Sequence, residues 1–223
     1  MRESGEFFAT PAFPLAGCNA SSTCYKPPVP TQHPLLKGRF MLIFSRRAAL
    51  WLPLLAASAA YAAGDPDNTV IMATKHGKVT ILLHPDWAPK HVAQIKTLVN
   101  EKFYDGLTFH RVIPGFMAQT GDPTGTGGGG SKLPNLPAEF NQTHFKRGTL
   151  GMARTDDPTS ANSQFFIMFG DGGFLDGKYT AFGEVVSGMD VVDKIKAGTE
   201  ANNGSVENPD KIVSMRMASG AKQ

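Results

Sequence analysis

Eight short runs rich in β-branched and aromatic residues, at residues 70–74, 79–83, 108–112, 116–120, 149–153, 165–169, 180–185 and 212–217, dominate the chain and are separated by Gly- and Pro-rich connections. Runs of this length bounded by turn residues read as strands. Residues 75–78 (Lys-His-Gly-Lys) are a hairpin signal with glycine where positive φ is favoured, so the series opens with paired antiparallel strands. Two helices are legible. The first starts at Ala88-Pro89, carries Val92, Ile95, Leu98 and Val99 on one face, and ends near residues 101–103; the second covers residues 189–197. Many strands, two helices and no internal repeat point to a mainly β fold, a closed or nearly closed antiparallel barrel.

Ahead of the strands lies an address. From Met41 a short basic stretch (Arg46, Arg47) precedes an apolar run at residues 48–60 and then Ala60-Tyr61-Ala62, the layout of a cleavable secretory signal. The apolar run falls short of the roughly 20 residues a membrane span needs. Residues 41–62 are therefore read as a signal peptide cut after Ala62, with residues 63–223 as the mature domain. General and twin-arginine export fit equally. Residues 1–40, with five prolines between Pro11 and Pro30, carry no periodicity and read as a non-native or disordered extension, translation starting at Met41. A lipoprotein signal ending at Cys18 fits less well, because Glu3 and Glu6 spoil its basic start and prolines break its apolar stretch.

Charge excludes some partners. Residues 1–62 hold six basic and two acidic side chains of the 22 and 19 in the chain, which leaves a body near neutrality and no bias toward nucleic acid or anionic membrane. Both cysteines, Cys18 and Cys24, precede the mature domain, so its stability rests on its core. No metal or other cofactor is expected: His76, His84, His91 and His144 lack metal-ligand spacing, and Asp156-Asp157 reads as a solvated loop. The glycine-rich stretch at residues 125–132 places Ser131 before Lys132, with Pro134 and Pro137 following, the wrong order for a phosphate loop; it reads as a mobile surface loop.

The segment Phe109-His110-Arg111-Val112-Ile113-Pro114-Gly115-Phe116-Met117-Ala118-Gln119, followed by Gly121-Asp122 and later by Asn162-Ser163-Gln164-Phe165-Phe166-Ile167 and Phe174-Leu175-Asp176-Gly177, closely resembles the cyclophilins. The resemblance runs from about Thr69 to Ser219. It implies a closed eight-stranded antiparallel barrel capped by two helices, peptidyl-prolyl cis/trans isomerase activity, and proline-containing unfolded or partly folded polypeptides as partners. With the signal peptide, it implies a monomer of the periplasm, or one released from the cell, that assists the folding of exported proteins. By the same resemblance Arg111 is the catalytic arginine and Gln119 the residue that steadies it. Phe116, Met117, Phe166 and Leu175 form the proline pocket, and Ala153, Arg154, Gln164, Phe174 and Tyr179 line the peptide groove. His110 precedes Arg111 and is expected on the opposite face.

These residue types suit the chemistry. Rotation about a peptide bond faces a barrier of about 18–20 kcal/mol, and reaching milliseconds at an X-Pro bond requires removing about 5–6 kcal/mol of it. No nucleophile or metal is needed. A guanidinium that donates to the nitrogen lone pair of the twisted amide favours the transition state over the planar ground state.

Three positions depart from animal relatives. Phe174 stands for tryptophan and Tyr179 for histidine, so weak cyclosporin binding is expected, the indole N–H being absent. Arg154 stands for asparagine and is expected to favour acidic neighbours. A peptide-binding chaperone or scaffold is the competing function, disfavoured because a binder needs no guanidinium aimed at the amide nitrogen. A barrel carrying a small apolar ligand is disfavoured by the Phe- and Met-rich interior.

Overall fold

The computed structural model describes residues 65–221; the expected signal peptide and extension lie outside them. Every expected run becomes a strand: β1 (Thr69–Thr74), β2 (Gly77–Leu83), β3 (Arg111–Ile113), β4 (Met117–Thr120), β5 (Thr149–Met152), β6 (Phe165–Met168), β7 (Ala181–Ser187) and β8 (Ile212–Met217). They form one antiparallel sheet in the order β3-β4-β6-β5-β7-β2-β1-β8. In β1 and β2 every second residue is buried, the period that one packed face imposes. β5 and β6 are buried at every position, because the sheet is covered on both sides there.

The sheet curls, and its ladder does not close. β3 and β8, at the two ends of the order, share no ladder; the gap is spanned by a single bridge, Thr108↔Lys211, and by bonds such as Phe109 N to Asp210 O (2.9 Å) and Ile212 N to Leu107 O (2.8 Å). The expected closed barrel is thus a curled eight-stranded sheet with an irregular seam. Asn203 and Asn208 adopt left-handed backbone (φ 55 and 51) in the segment before β8 and prevent it from running as an extended strand beside β3. That segment instead folds over the free edge of β3, through Val112 N to Gly204 O and Val206 N to His110 O.

Helix α1 (Pro89–Asn100) buries Val92, Ile95, Leu98 and Val99 as the spacing requires and packs on β8. Its start is completed from afar: Ala88 offers no side-chain cap, and the Glu139 carboxylate accepts from Lys90 N and His91 N at 3.0–3.2 Å, favourable at the positive end of the helix. Helix α2 is one turn, Met189–Val192, shorter than expected: past Asp193 it tightens, Lys194 N and Ile195 N donating to Val191 O and Val192 O, and the later amides find partners outside it, Lys196 N donating to Asp210 and Gly198 N to Val112 O. Among the described residues no helix is long and apolar enough to cross a membrane.

Asp210 knits these parts together. Its buried carboxylate meets Lys75 Nζ (2.5 Å), His76 Nε2 (2.8 Å) and Lys196 N (3.0 Å), joining the β1–β2 turn to the chain after α2. Burial alone would raise its pKa; the bonds from Lys75, His76 and Lys196 outweigh burial and hold it at about 2. A depressed carboxylate stabilises the fold above its unfolded pKa of about 3.9 and loses that contribution as pH falls through the folded value. Asp210→Asn should therefore cost about 2 kcal/mol at pH 7, with the gap between variant and wild type narrowing from pH 4 to pH 2; urea melts across that range measure it.

Candidate active site

Alternation along β4 and β6 sorts their side chains onto two faces. Ala118, Phe165 and Ile167 join the main core with Val70, Ile81, Ile95 and Phe182, whereas Met117, Phe166 and Met168 join a second apolar cluster on the other face with Phe145, Leu175 and Ala181. That cluster is the floor of a groove of about 670 Å³. Phe145 is fully buried beneath it and stacks on Phe166 (centroids 5.9 Å apart), while Tyr179 meets Phe166 edge-on at 5.9 Å. A 3₁₀ turn at Gly173–Leu175 dips Leu175 into the cluster and leaves Phe174 exposed at the rim, 5.5 Å from the Phe116 ring. Asp176 pins this turn, accepting from Phe145 N at 2.9 Å and meeting His144 Nδ1 at 2.7 Å.

Arg111 and Gln119 face each other across the β3–β4 ladder. Arg111 Nη1 donates to Gln119 Oε1 at 3.3 Å, and Gln119 Nε2 donates to Gln164 Oε1 at 2.8 Å. Gln164 Nε2 in turn donates to the carbonyls of Gly127 (3.0 Å) and Gly129 (2.7 Å). The glycine-rich segment, expected to be mobile, is thus tied into this relay. It is tied further by Asp122, which accepts from Thr124 N and Gly127 N, and by Asn162, which accepts from Ser131 N. Burial lowers the pKa of Arg111, opposed by nearby Tyr179; a guanidinium stays protonated at neutral pH all the same.

Ten of the eleven residues singled out from the sequence line this groove: Arg111, Phe116, Met117, Gln119, Ala153, Arg154, Phe166, Phe174, Leu175 and Tyr179. Gln164 lines an adjoining polar groove of about 380 Å³ instead. Arg154 lies over the Tyr179 ring, its Cζ 4.8 Å from the centroid. His110, just before β3, stands at the edge of the groove, but it is buried and its two ring nitrogens are out of contact with solvent. Burial lowers its pKa against the pull of Asp122, leaving it neutral at pH 7.

Sequence reasoning missed Asn203. Its carbonyl accepts from Arg111 Nε at 3.0 Å and its Oδ1 from Nη2 at 2.8 Å, so it holds two of the three guanidinium nitrogens. The turn signal Asn202-Asn203-Gly204 was legible; its placement beside a residue 92 positions earlier was not. Asn203→Gly keeps the left-handed backbone and the carbonyl and removes only Oδ1. It should lower kcat toward a proline reporter roughly three- to tenfold with little change in KM, as loosened positioning does.

A family model for cyclophilin type peptidyl-prolyl cis-trans isomerase/CLD matches residues 69–217. The chain is 59% identical over 171 residues to a probable peptidyl-prolyl cis-trans isomerase of Brucella suis, a span covering 72% of this chain and 87% of that one. Over 149 residues it is 41% identical to a peptidyl-prolyl cis-trans isomerase of Schizosaccharomyces pombe, covering 65% and 95%. Among solved structures it is similar to a cyclophilin from Hirschia baltica (TM-score 0.63, 34% identity, covering 70% of this chain and 76% of that one). It is similar also to a cyclophilin type isomerase of Cryptosporidium parvum solved in the presence of the dipeptide Ala-Pro (TM-score 0.61, 27% identity, covering 67% and 98%).

Proposed function

The chain belongs to the cyclophilin-type peptidyl-prolyl cis-trans isomerase family and is an isomerase of X-Pro bonds, and from that premise we propose how its groove acts and where the protein works. The proline ring enters the apolar end, against Phe116, Met117, Phe166 and Leu175. Arg111 faces the amide. Of its five N–H donors, three are taken by Asn203 and Gln119, leaving two for substrate. One reaches the nitrogen lone pair as the amide twists, a bond that gains strength only away from planarity, which is the condition for catalysis over binding; the other holds a neighbouring carbonyl and orients the peptide. Gln119 positions Arg111. Ala153, Arg154, Gln164, Phe174 and Tyr179 border the path of the peptide on either side of the proline. The two-sided clamp on Arg111 carries this reading.

The partners of this groove are proline-containing polypeptides before they finish folding, met by a monomer. The signal-like segment at residues 41–62 supports action on exported proteins in the periplasm. The first test is the cis-to-trans rate of an Ala-Pro-Phe reporter with the full chain: acceleration supports catalysis through the groove, whereas binding of proline peptides without acceleration would return the protein to a chaperone role. The second is amino-terminal sequencing of the protein recovered from the periplasm of a producing bacterium. A start at Ala63 supports export; an intact chain confined to the cytoplasm overturns it. Cyclosporin should bind weakly, since Phe174 offers no N–H at the rim.

A further inference from the structure

The described domain contains four arginines, at positions 111, 147, 154 and 216, and they divide sharply. Arg147 forms two bonds to Asp193 (2.6 and 2.9 Å), and Arg216 forms two to Asp105 (2.6 and 2.7 Å). The two in the groove, Arg111 and Arg154, have no carboxylate partner among the described residues. Neither the main groove nor the adjoining one is lined by an aspartate or glutamate.

Arg154 stands on the wall the two grooves share, with Gln119, Gly127 and Ala153. It is held by neutral groups only. Nη1 donates to Thr155 O (2.7 Å) and Asp156 O (3.2 Å), Nη2 donates to Lys178 O (2.8 Å), and Cζ lies 4.8 Å from the Tyr179 ring centroid and 6.0 Å from that of Phe140. Its buried Nε has no partner among the described residues. Carbonyls and a π face orient the cation without cancelling its charge. Of the charged residues around it, Asp157 interacts with it through space while its carboxylate bonds to Thr159 N and Oγ1, and Asp156 and Lys178 bond it only through their backbone carbonyls. A fixed cation beside a peptide path, with no salt-bridge partner among the described residues, recognises an anion.

We propose that Arg154 is a specificity residue that makes this enzyme prefer proline bonds flanked by an acidic side chain, its guanidinium, free of any salt bridge, meeting the carboxylate at the wall between the two grooves. The inference rests on the groove being the substrate path. Two reporter sets test it with the full chain, Ala-X-Pro-Phe and Ala-Ala-Pro-X, with Glu, Gln or Lys at X. In at least one set kcat/KM should fall in the order Glu, Gln, Lys, with Glu over Lys by about fivefold at low salt, shrinking to below about twofold in 0.5 M NaCl. Arg154→Gln should cut the Glu/Lys ratio to less than half of its wild-type value and Arg154→Lys should restore most of it; because ratios are compared within each variant, an overall loss of rate cancels. Equal rates across both sets, a ratio indifferent to salt, or a ratio that survives Arg154→Gln overturns the proposal. Should Arg154→Gln fail to fold, the salt dependence of the wild-type ratio decides. Failure to accelerate any reporter overturns the substrate path itself, and the preference with it.

Discussion

Arg111→Ala is expected to lower kcat/KM toward an Ala-Pro-Phe reporter by about two to three decades, the scale of removing a charged donor that acts mainly in the transition state. The uncatalysed rotation is slow because amide resonance must be broken, and the groove offers no other cation at that position to compensate. Stability should barely move. The guanidinium is half-buried, and water can replace it at Asn203 and Gln119, so the unfolding free energy from urea melts should change by less than about 1 kcal/mol. Arg111→Lys should recover little, because a single ammonium cannot fill the three-point clamp and still present donors to an amide. A loss of less than threefold for Arg111→Ala, in a variant that melts like the wild type, would remove this arginine from the chemistry.

The second large effect is on the pocket floor. Phe145→Ala should destabilise the domain by about 3–5 kcal/mol, the range for deleting a fully buried aromatic ring, and lower Tm by roughly 6–20 °C in a domain of this size. Phe145 is completely buried against Phe166, and Gly151 lies beneath both: a Cβ there would overlap both rings, so the floor is filled to contact and cannot collapse into the space left. At 10 °C, where the variant remains folded, KM for proline peptides should rise several-fold as Phe166 loses its support. Phe145→Leu should return much of both. Thermal melts and reporter kinetics measure the two effects together, and a melt within about 3 °C of wild type would mean that the ring is not part of the packed floor.

The strands and the first helix were legible because their signals are local. Val92, Ile95, Leu98 and Val99 announce a helix face by spacing alone, and β1 and β2 alternate as a half-buried sheet must. The motif around Arg111 also spans one hairpin: ten of the eleven singled-out residues share one groove because β3 and β4 are adjacent in sequence and because β6 and the turn at Gly173–Leu175 carry motifs of their own. Local reading failed where bonding partners come from elsewhere. The second helix tightens after one turn and does not resume, because Lys196 and Gly198 find partners at Asp210 and Val112. The glycine-rich segment looks free by composition and is held by Asp122, Asn162 and Gln164.

By itself, then, the sequence determined the eight strands, the helix face and the residue types that form the groove, since propensity and periodicity act over a few positions along the chain. Only the tertiary structure decided that Asn203 clamps Arg111 across 92 positions, that β3 and β8 meet at a seam rather than a ladder, and that the two arginines of the groove stay unpaired while the other two find carboxylates. Those outcomes depend on which distant segments a close-packed core brings together, and no local preference encodes that.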